Sequence, residues 1–390
     1  MHQAGGGHTR QRHLTAVSGT AQAAFQEARP AFVCFRPLPA GIIACEEGFL
    51  MQRRKVALAA AICALSLCLQ SCTTTAETTE PAPRPTGTAM KAAVQWPEEK
   101  LKFGEDGSPV LRVYVVEKEA VEKVDLETYV EGVLAGEMKN DWPLEALKAQ
   151  AILARTFVLK FVEEKESKYP DADISTDIEE AQAYDPDAVN DRIREAVNAT
   201  KGQVLTADGR LPYAWFHAHS GGTTERAVTG LGWNEAEPAY TAVVQGNEPE
   251  NVKNEKDAQA LKDAKRWEAS FPVSEVEEAL RSLGAEESIS GDTRISVAER
   301  GEGGRAKTIR FGDAAVGAAE LRIALGSTKM RSTLLTSLKV QNGQVVMEGK
   351  GYGHGVGMSQ WGAYGLAEAG KNAAEIIGHY FTGVTVEKLW

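Results

Sequence analysis

The chain has 390 residues, 43% hydrophobic and 25% charged, which suffices for a sizeable core in one large or two ordinary domains. Its net charge is −11, and residues 72–390 hold 36 Lys and Arg against 51 Asp and Glu. So acidic a surface repels phosphate backbones and excludes nucleic acid as a partner. All five cysteines (Cys34, Cys45, Cys63, Cys68 and Cys72) fall in the first 72 residues, so the remainder has neither a disulfide framework nor a cysteine-ligated metal.

The chain opens on targeting signals. Arg53-Arg54-Lys55 after Met51 forms a basic n-region, and Val56–Leu69 is an apolar run of 14 residues. That is short of the roughly 20 residues of a membrane-spanning helix and fits a secretory h-region. Leu69-Gln70-Ser71-Cys72 resembles the bacterial lipobox, which implies cleavage before Cys72 and lipidation of its thiol. A short membrane anchor with an incidental cysteine is the alternative. A complete signal at 51–71 makes residues 1–50 a mis-called start. They are basic and aperiodic, and purine-rich codons for Glu46-Glu47-Gly48 can spell a ribosome-binding site ahead of Met51. Residues 72–105, rich in Thr, Pro and Glu from Thr73 to Ala89, read as a disordered tether for a folded part at 106–390. The expected location is outside the cell, lipid-anchored to the outer face of the cytoplasmic membrane.

Within the folded part, VLRVYVVEK from Val110 alternates and is β-branched, predicting a strand. Leu126–Met138 predicts a helix with Leu126, Tyr129, Val130, Val133 and Leu134 on one face and a break at Gly136. A second helix restarts at Asp141-Trp142-Pro143 and runs to Phe161 or beyond. Its alanine-rich surface predicts a central position. Residues 166–190 read as a loop and Ile193–Thr200 as a short helix. Gly202–Thr206 and Leu211–His219 read as paired strands around the Asp208-Gly209 turn. Ser220-Gly221-Gly222 forms a tight loop, and the charged stretch 245–265 reads as a surface insertion. Val273–Leu283 and Ala318–Leu325 predict helices, and Thr308–Phe311 and Leu338–Glu348 predict strands. This interspersion lacks a βαβ rhythm, so the fold class is α+β, one globular unit with a smaller inserted or second lobe.

Three constellations could carry chemistry. Glu137 lies at the mouth of the second helix, where a lone carboxylate can act as a general acid or simply end a helix. Gly349, Gly351, Gly353, Gly355 and Gly357 recur with period two and would, in an extended chain, present a face open to another backbone or a flat ligand. Close packing at a sheet crossing is the alternative. This run matches neither a dinucleotide nor a P-loop fingerprint. Ser359 is a good cap for the helix that follows and Gly370 a good stop. His217 and His219 share a strand face, as a zinc pair would, but lack an evident third ligand. The chain has no G-x-S-x-G elbow to make Ser220 a hydrolase nucleophile.

Taken together, LETYVEGVLAGEM, WPLEALKAQAILART, SGGTTE, GYGHGVGMSQWGAYGLAEAG and IIGHYFTGV resemble, in order, the stage II sporulation protein D and amidase-enhancer family, over about residues 106–390. The resemblance implies a lytic transglycosylase that cuts the N-acetylmuramic acid–N-acetylglucosamine bond of peptidoglycan strands. Glu137 would then serve as the single acid/base and no cofactor would be needed. It would protonate the glycosidic oxygen and then deprotonate the muramic C6 hydroxyl, which closes a 1,6-anhydro ring, so the second carboxylate of ordinary glycosidases is not required. Burial beside Met138 and Trp142 would raise the Glu137 pKa. Arg155 is expected to bind structure or substrate away from that proton. Ser220, Tyr352, His354 and Gln360 are expected to line the glycan groove. Where some members carry zinc-binding cysteines, this chain has Ser175 and Ala181, so no metal is expected there. A non-catalytic glycan-binding enhancer of a wall amidase and a structural wall-binding lipoprotein are the rivals, and other wall hydrolases are candidate partners.

Overall fold

The computed structural model describes residues 94–390. The expected mis-called start, export signal and Cys72 lie outside the described residues. Residues 94–105, read as tether, instead pack as structure. Gln95 bridges to Arg210, Trp96 stacks on Trp390, and strand β1 (Lys102–Phe103) pairs with β2 (Pro109–Val115). Strand β3 (Ala120–Asp125) completes the antiparallel set. The two-residue β4 (Ile174–Ser175) adds to β2 in parallel from within the predicted 166–190 loop.

Helix α1 (Leu126–Glu137) starts where Asp125 accepts the amides of Glu127 and Thr128. Helix α2 (Leu144–Glu164) follows Pro143 and is buried at 15 of its 21 positions, which makes it a core helix buried nearly all round. It packs against α1, α3 (Asp191–Ala199), strand β5 (Gln203–Ala207) and the two C-terminal helices. Its alanines let these neighbours close in, as the sequence suggests.

The predicted hairpin around Asp208-Gly209 does not form beyond one bridge between Ala207 and Arg210. Strand β5 pairs instead with the last strand of the chain, and most of 211–219 is irregular apart from β6 (Phe216–His217). Helix α4 (Ala227–Gly230) and helix α5 (Glu255–Lys265) follow. Most of 245–265 is exposed, as expected of an insertion, but Glu248 turns inward.

A second hydrophobic cluster lies within residues 267–347, called the smaller lobe below. Strand β7 (Trp267–Pro272) and helix α6 (Val273–Ser282) lead into an antiparallel set of β8 (Ile295–Arg300), β9 (Ala306–Phe311) and β10 (Ala314–Gly317). Helix α7 (Ala318–Ala324) follows. The predicted single strand 338–348 is a hairpin of β11 (Leu335–Gln341) and β12 (Gln344–Gly349). Asn342 and Gly343 turn it, both with positive φ (52° and 71°). Asn-Gly between alternating apolar residues is a strong hairpin signal, and here it divides the predicted strand in two.

The glycine run is not an extended strand. Gly351, Gly353, Gly355 and Gly357 all adopt positive φ, between 69° and 106°, so the chain twists at every second residue. The expected close approach of another backbone does occur. A Cβ on Gly351 would lie 2.8 Å from the His219 carbonyl, and one on Gly353 would lie 2.7 Å from His217 Cβ. The run ends in β13 (Met358–Ser359), parallel to β6, which sets the C-terminal motif beside the Ser-Gly-Gly loop. Ser359 caps helix α8 (Gln360–Glu368) and Gly370 follows its end at φ 84°. Helix α9 (Ala373–Tyr380) and strand β14 (Val384–Lys388) close the fold on β5.

Candidate active site

Glu137 is the last residue of α1 and is 5% exposed. Its position depends on the helix continuing through Gly136, where a break was expected. A Cβ there would meet the Ala183 backbone at 2.8 Å, so glycine lets the 181–185 segment lie directly on the helix end. That approach delivers the Ala183 N–H to Glu137 Oε1 at 2.8 Å. On the other side, Gln360 Nε2 donates to the Glu137 carbonyl at 3.2 Å and faces Oε2 at 3.5 Å. The loop after Glu137 is tied down as well. Asn140 bonds the Ala188 carbonyl, Asn190 bonds the Asn140 carbonyl, Arg192 bonds the Trp142 carbonyl, and Lys139 pairs with Asp257. Trp142 packs on Trp361 and Tyr364.

Burial pushes the Glu137 carboxyl up to about 8, against the opposing pull of the Ala183 and Gln360 donors. The group is therefore a neutral acid at pH 7. Oε1 accepts the Ala183 bond at 2.8 Å, so Oε2, which Gln360 faces only at 3.5 Å, is the freer oxygen to carry the proton.

Two of the expected site residues meet: Glu137 and Gln360. Ser220 is fully buried. Its N–H donates to Glu248 Oε1 at 2.7 Å, and Glu248 also accepts Ser359 Oγ at 2.8 Å. Tyr352 pairs through its backbone with His219, and its ring lies under the Arg331 guanidinium. His354 does not line an open groove. It is 4% exposed, its Nδ1 accepts the Val356 N–H, and burial with Arg322 and Arg305 nearby holds its pKa down at about 3. Arg155 takes the structural one of its two expected roles. It is fully buried, its guanidinium grips Glu127, and it also bonds the Ala151 and Gln203 carbonyls. Glu127 also accepts the Gly202 N–H, so this ion pair joins α1, α2 and β5 in the core.

Sequence reasoning missed Glu248, hidden in a stretch of charges, and buried Arg305, which donates to the Ser220 and Gly353 carbonyls. Ser175 and Ala181, expected to stand where some members carry cysteines, are both fully buried. Among the described residues no cluster of His, Cys, Asp or Glu could hold a metal ion, and no helix is long and apolar enough to cross a membrane. Asp177 ties residues 168–179 together, accepting from Tyr169 Oη and the Glu179 amide and pairing with Lys168.

A family described as Stage II sporulation protein matches residues 115–206, the stretch that holds Glu137, α2 and Ala183. The Stage II sporulation protein D of Bacillus amyloliquefaciens is 31% identical over 72% of this chain and 80% of its own length. The chain belongs to the stage II sporulation protein D family. The amidase enhancer of Bacillus subtilis (strain 168) is 27% identical over 66% of the chain, which spans 40% of that longer protein. An uncharacterized protein of Brachyspira hyodysenteriae is 32% identical over 68% of the chain and 67% of its own length. Residues 239–357 match a second family, described as a domain of unknown function, which takes in the smaller lobe, Glu248 and the glycine run.

Proposed function

We propose that this member of the family is a peptidoglycan lytic transglycosylase acting in cell wall remodelling, with Glu137 as its single acid/base. The observation that carries this reading is the Glu137 carboxyl, buried and held neutral at pH 7 while one oxygen is fixed by the Ala183 amide. Oε2 gives its proton to the glycosidic oxygen as the C1–O bond breaks, releasing N-acetylglucosamine as an alcohol. The carboxylate then takes the proton of the muramic C6 hydroxyl as O6 bonds C1. The acid is regenerated without water, and the Ala183 and Gln360 donors stabilise the charged intermediate form. The proposed setting is the outer face of the cytoplasmic membrane, reached through export and lipidation of Cys72.

Incubating the purified protein with glycan strands, with and without stem peptides, tests the reading. Mass spectrometry should find anhydro-muramic ends, lighter by one water than reducing ends. Reducing ends alone would make it a hydrolase. A second reading, a glycan-binding enhancer of a wall amidase, is favoured by the 5% exposure of Glu137 and by the amidase-enhancer relative. It predicts binding, and stimulation of an amidase, without any cleavage.

A further inference from the structure

Glu248 comes from a charged stretch that the sequence assigns to the surface, yet its side chain is only 6% exposed. The stretch is anchored by the Gly246 N–H on the Gly222 carbonyl and by Tyr380 Oη on the Gly246 carbonyl at 2.6 Å. Glu248 then ties two chain segments that are distant in sequence, accepting from the Ser220 amide and the Ser359 hydroxyl. His219 Nδ1, 3.6 Å away, already accepts the Gly221 amide. Ser359 uses both of its functions. Its oxygen accepts the Gly362 amide that starts α8, and its proton goes to Glu248. The next residue is Gln360, whose amide meets Glu137. A buried carboxylate thus fixes the residue beside the one that touches the candidate acid.

We propose that Glu248 is a positioning residue for Glu137, acting through Ser359 and Gln360. The inference rests on the reading of Glu137 as the acid. Burial opposes the charge of Glu248, but His219 and the two serine bonds outweigh it and keep its pKa below the ordinary value. Arg305, His219 and Tyr380 also feel this carboxylate. Glu137 is faced by Tyr129, and its own shift comes from burial, Ala183 and Gln360. The influence of Glu248 must therefore travel through the Gln360 contact.

The test is a carbon-13 NMR titration of the Glu137 carboxyl in the full chain, together with the pH profile of cleavage. Glu248→Gln, Ser359→Ala and Gln360→Ala should each raise the Glu137 titration and move the alkaline limb of kcat/KM to higher pH. The accompanying loss should be about 10- to 100-fold in kcat/KM, the scale of a misplaced catalytic group. Glu248→Gln should add nothing in the Gln360→Ala background, and Ser359→Thr, which keeps the hydroxyl, should restore the wild-type titration. An unchanged titration in Ser359→Ala overturns the proposal, and that variant leaves Glu248 on Ser220 should Glu248→Gln fail to fold. An undiminished shift from Glu248→Gln in the Gln360→Ala background also overturns it. The titration needs no substrate, so a wild-type protein that cleaves nothing would end the functional reading and leave the positioning result standing.

Discussion

Gln360 contacts Glu137 twice across 223 positions of sequence, through the main-chain carbonyl at 3.2 Å and carboxyl Oε2 at 3.5 Å. The first contact fixes where the helix end sits and the second bears on the proton. Together they join the two most recognisable motifs of the chain at the one group proposed to do chemistry.

That proton has a consequence for stability. Glu137 has a folded pKa of about 8, above the ordinary 4.5. Its contribution is fully present below pH 4.5 and is lost as pH rises through 8, because the unfolded chain ionises first. The full swing is roughly 5 kcal/mol. Glu137→Gln cannot ionise, so denaturant unfolding should show it more stable than wild type at pH 8.5 and near parity at pH 4. It should also abolish formation of anhydro ends. Equal stability of the two proteins at both pH values would show that Glu137 is not held neutral.

Arg155 supports the fold. Arg155→Met leaves Glu127 buried without its cation, for which about 3–5 kcal/mol of destabilisation is expected. The double substitution Arg155→Met with Glu127→Gln removes both charges and should recover much of that loss. Thermal melts of the two variants decide the point. If Arg155→Met kept the wild-type melting temperature while losing glycan binding, Arg155 would serve substrate, the other role open to it in the sequence.

The helices were legible because period and punctuation agree. Ser359 caps where predicted, and the burial of α2 matches the central position that its alanines predict. Glu137 was visible as a carboxylate at a helix end. So was burial as the cause of its raised pKa; the opposing Ala183 donor was not, since that amide arrives from 46 residues away and only because Gly136 has no side chain. Period-two glycines suggested a strand because periodicity says nothing of the sign of φ. Glu248 misled because a charge in sequence looks solvated until its partners are known, and these lie at Ser220 and Ser359.

On the acid side the histidines should dominate. His354 is held near 3 by burial and two arginines, and burial lowers His217 and His219 as well. A histidine depressed on folding contributes stability above its unfolded pKa of about 6.5 that is lost as pH falls toward the folded value. For His354 alone this is about 2–3 kcal/mol between pH 7 and pH 4.5. His354→Asn keeps an acceptor for the Val356 amide but cannot titrate. Urea midpoints should therefore fall less between these pH values in the variant, and an identical fall would place the acid sensitivity elsewhere.

Gly355 gives the sharpest test of the twisted glycine run. Its φ is 84°, and a Cβ there would overlap the buried Arg305 guanidinium, whose Nη1 and Nη2 hold the Gly353 and Ser220 carbonyls. Gly355→Ala therefore combines a backbone penalty of about 1 kcal/mol with displacement of a buried cation, and a total loss of about 3 kcal/mol or more is expected. Gly370 has the same φ of 84° and nothing within 4 Å of its virtual Cβ, so Gly370→Ala isolates the backbone share. Melting curves should show Gly355→Ala clearly below Gly370→Ala. If the two fell equally, Arg305 would not be packed on the glycine run, and the link between the smaller lobe and the Ser-Gly-Gly loop would have to run through other residues.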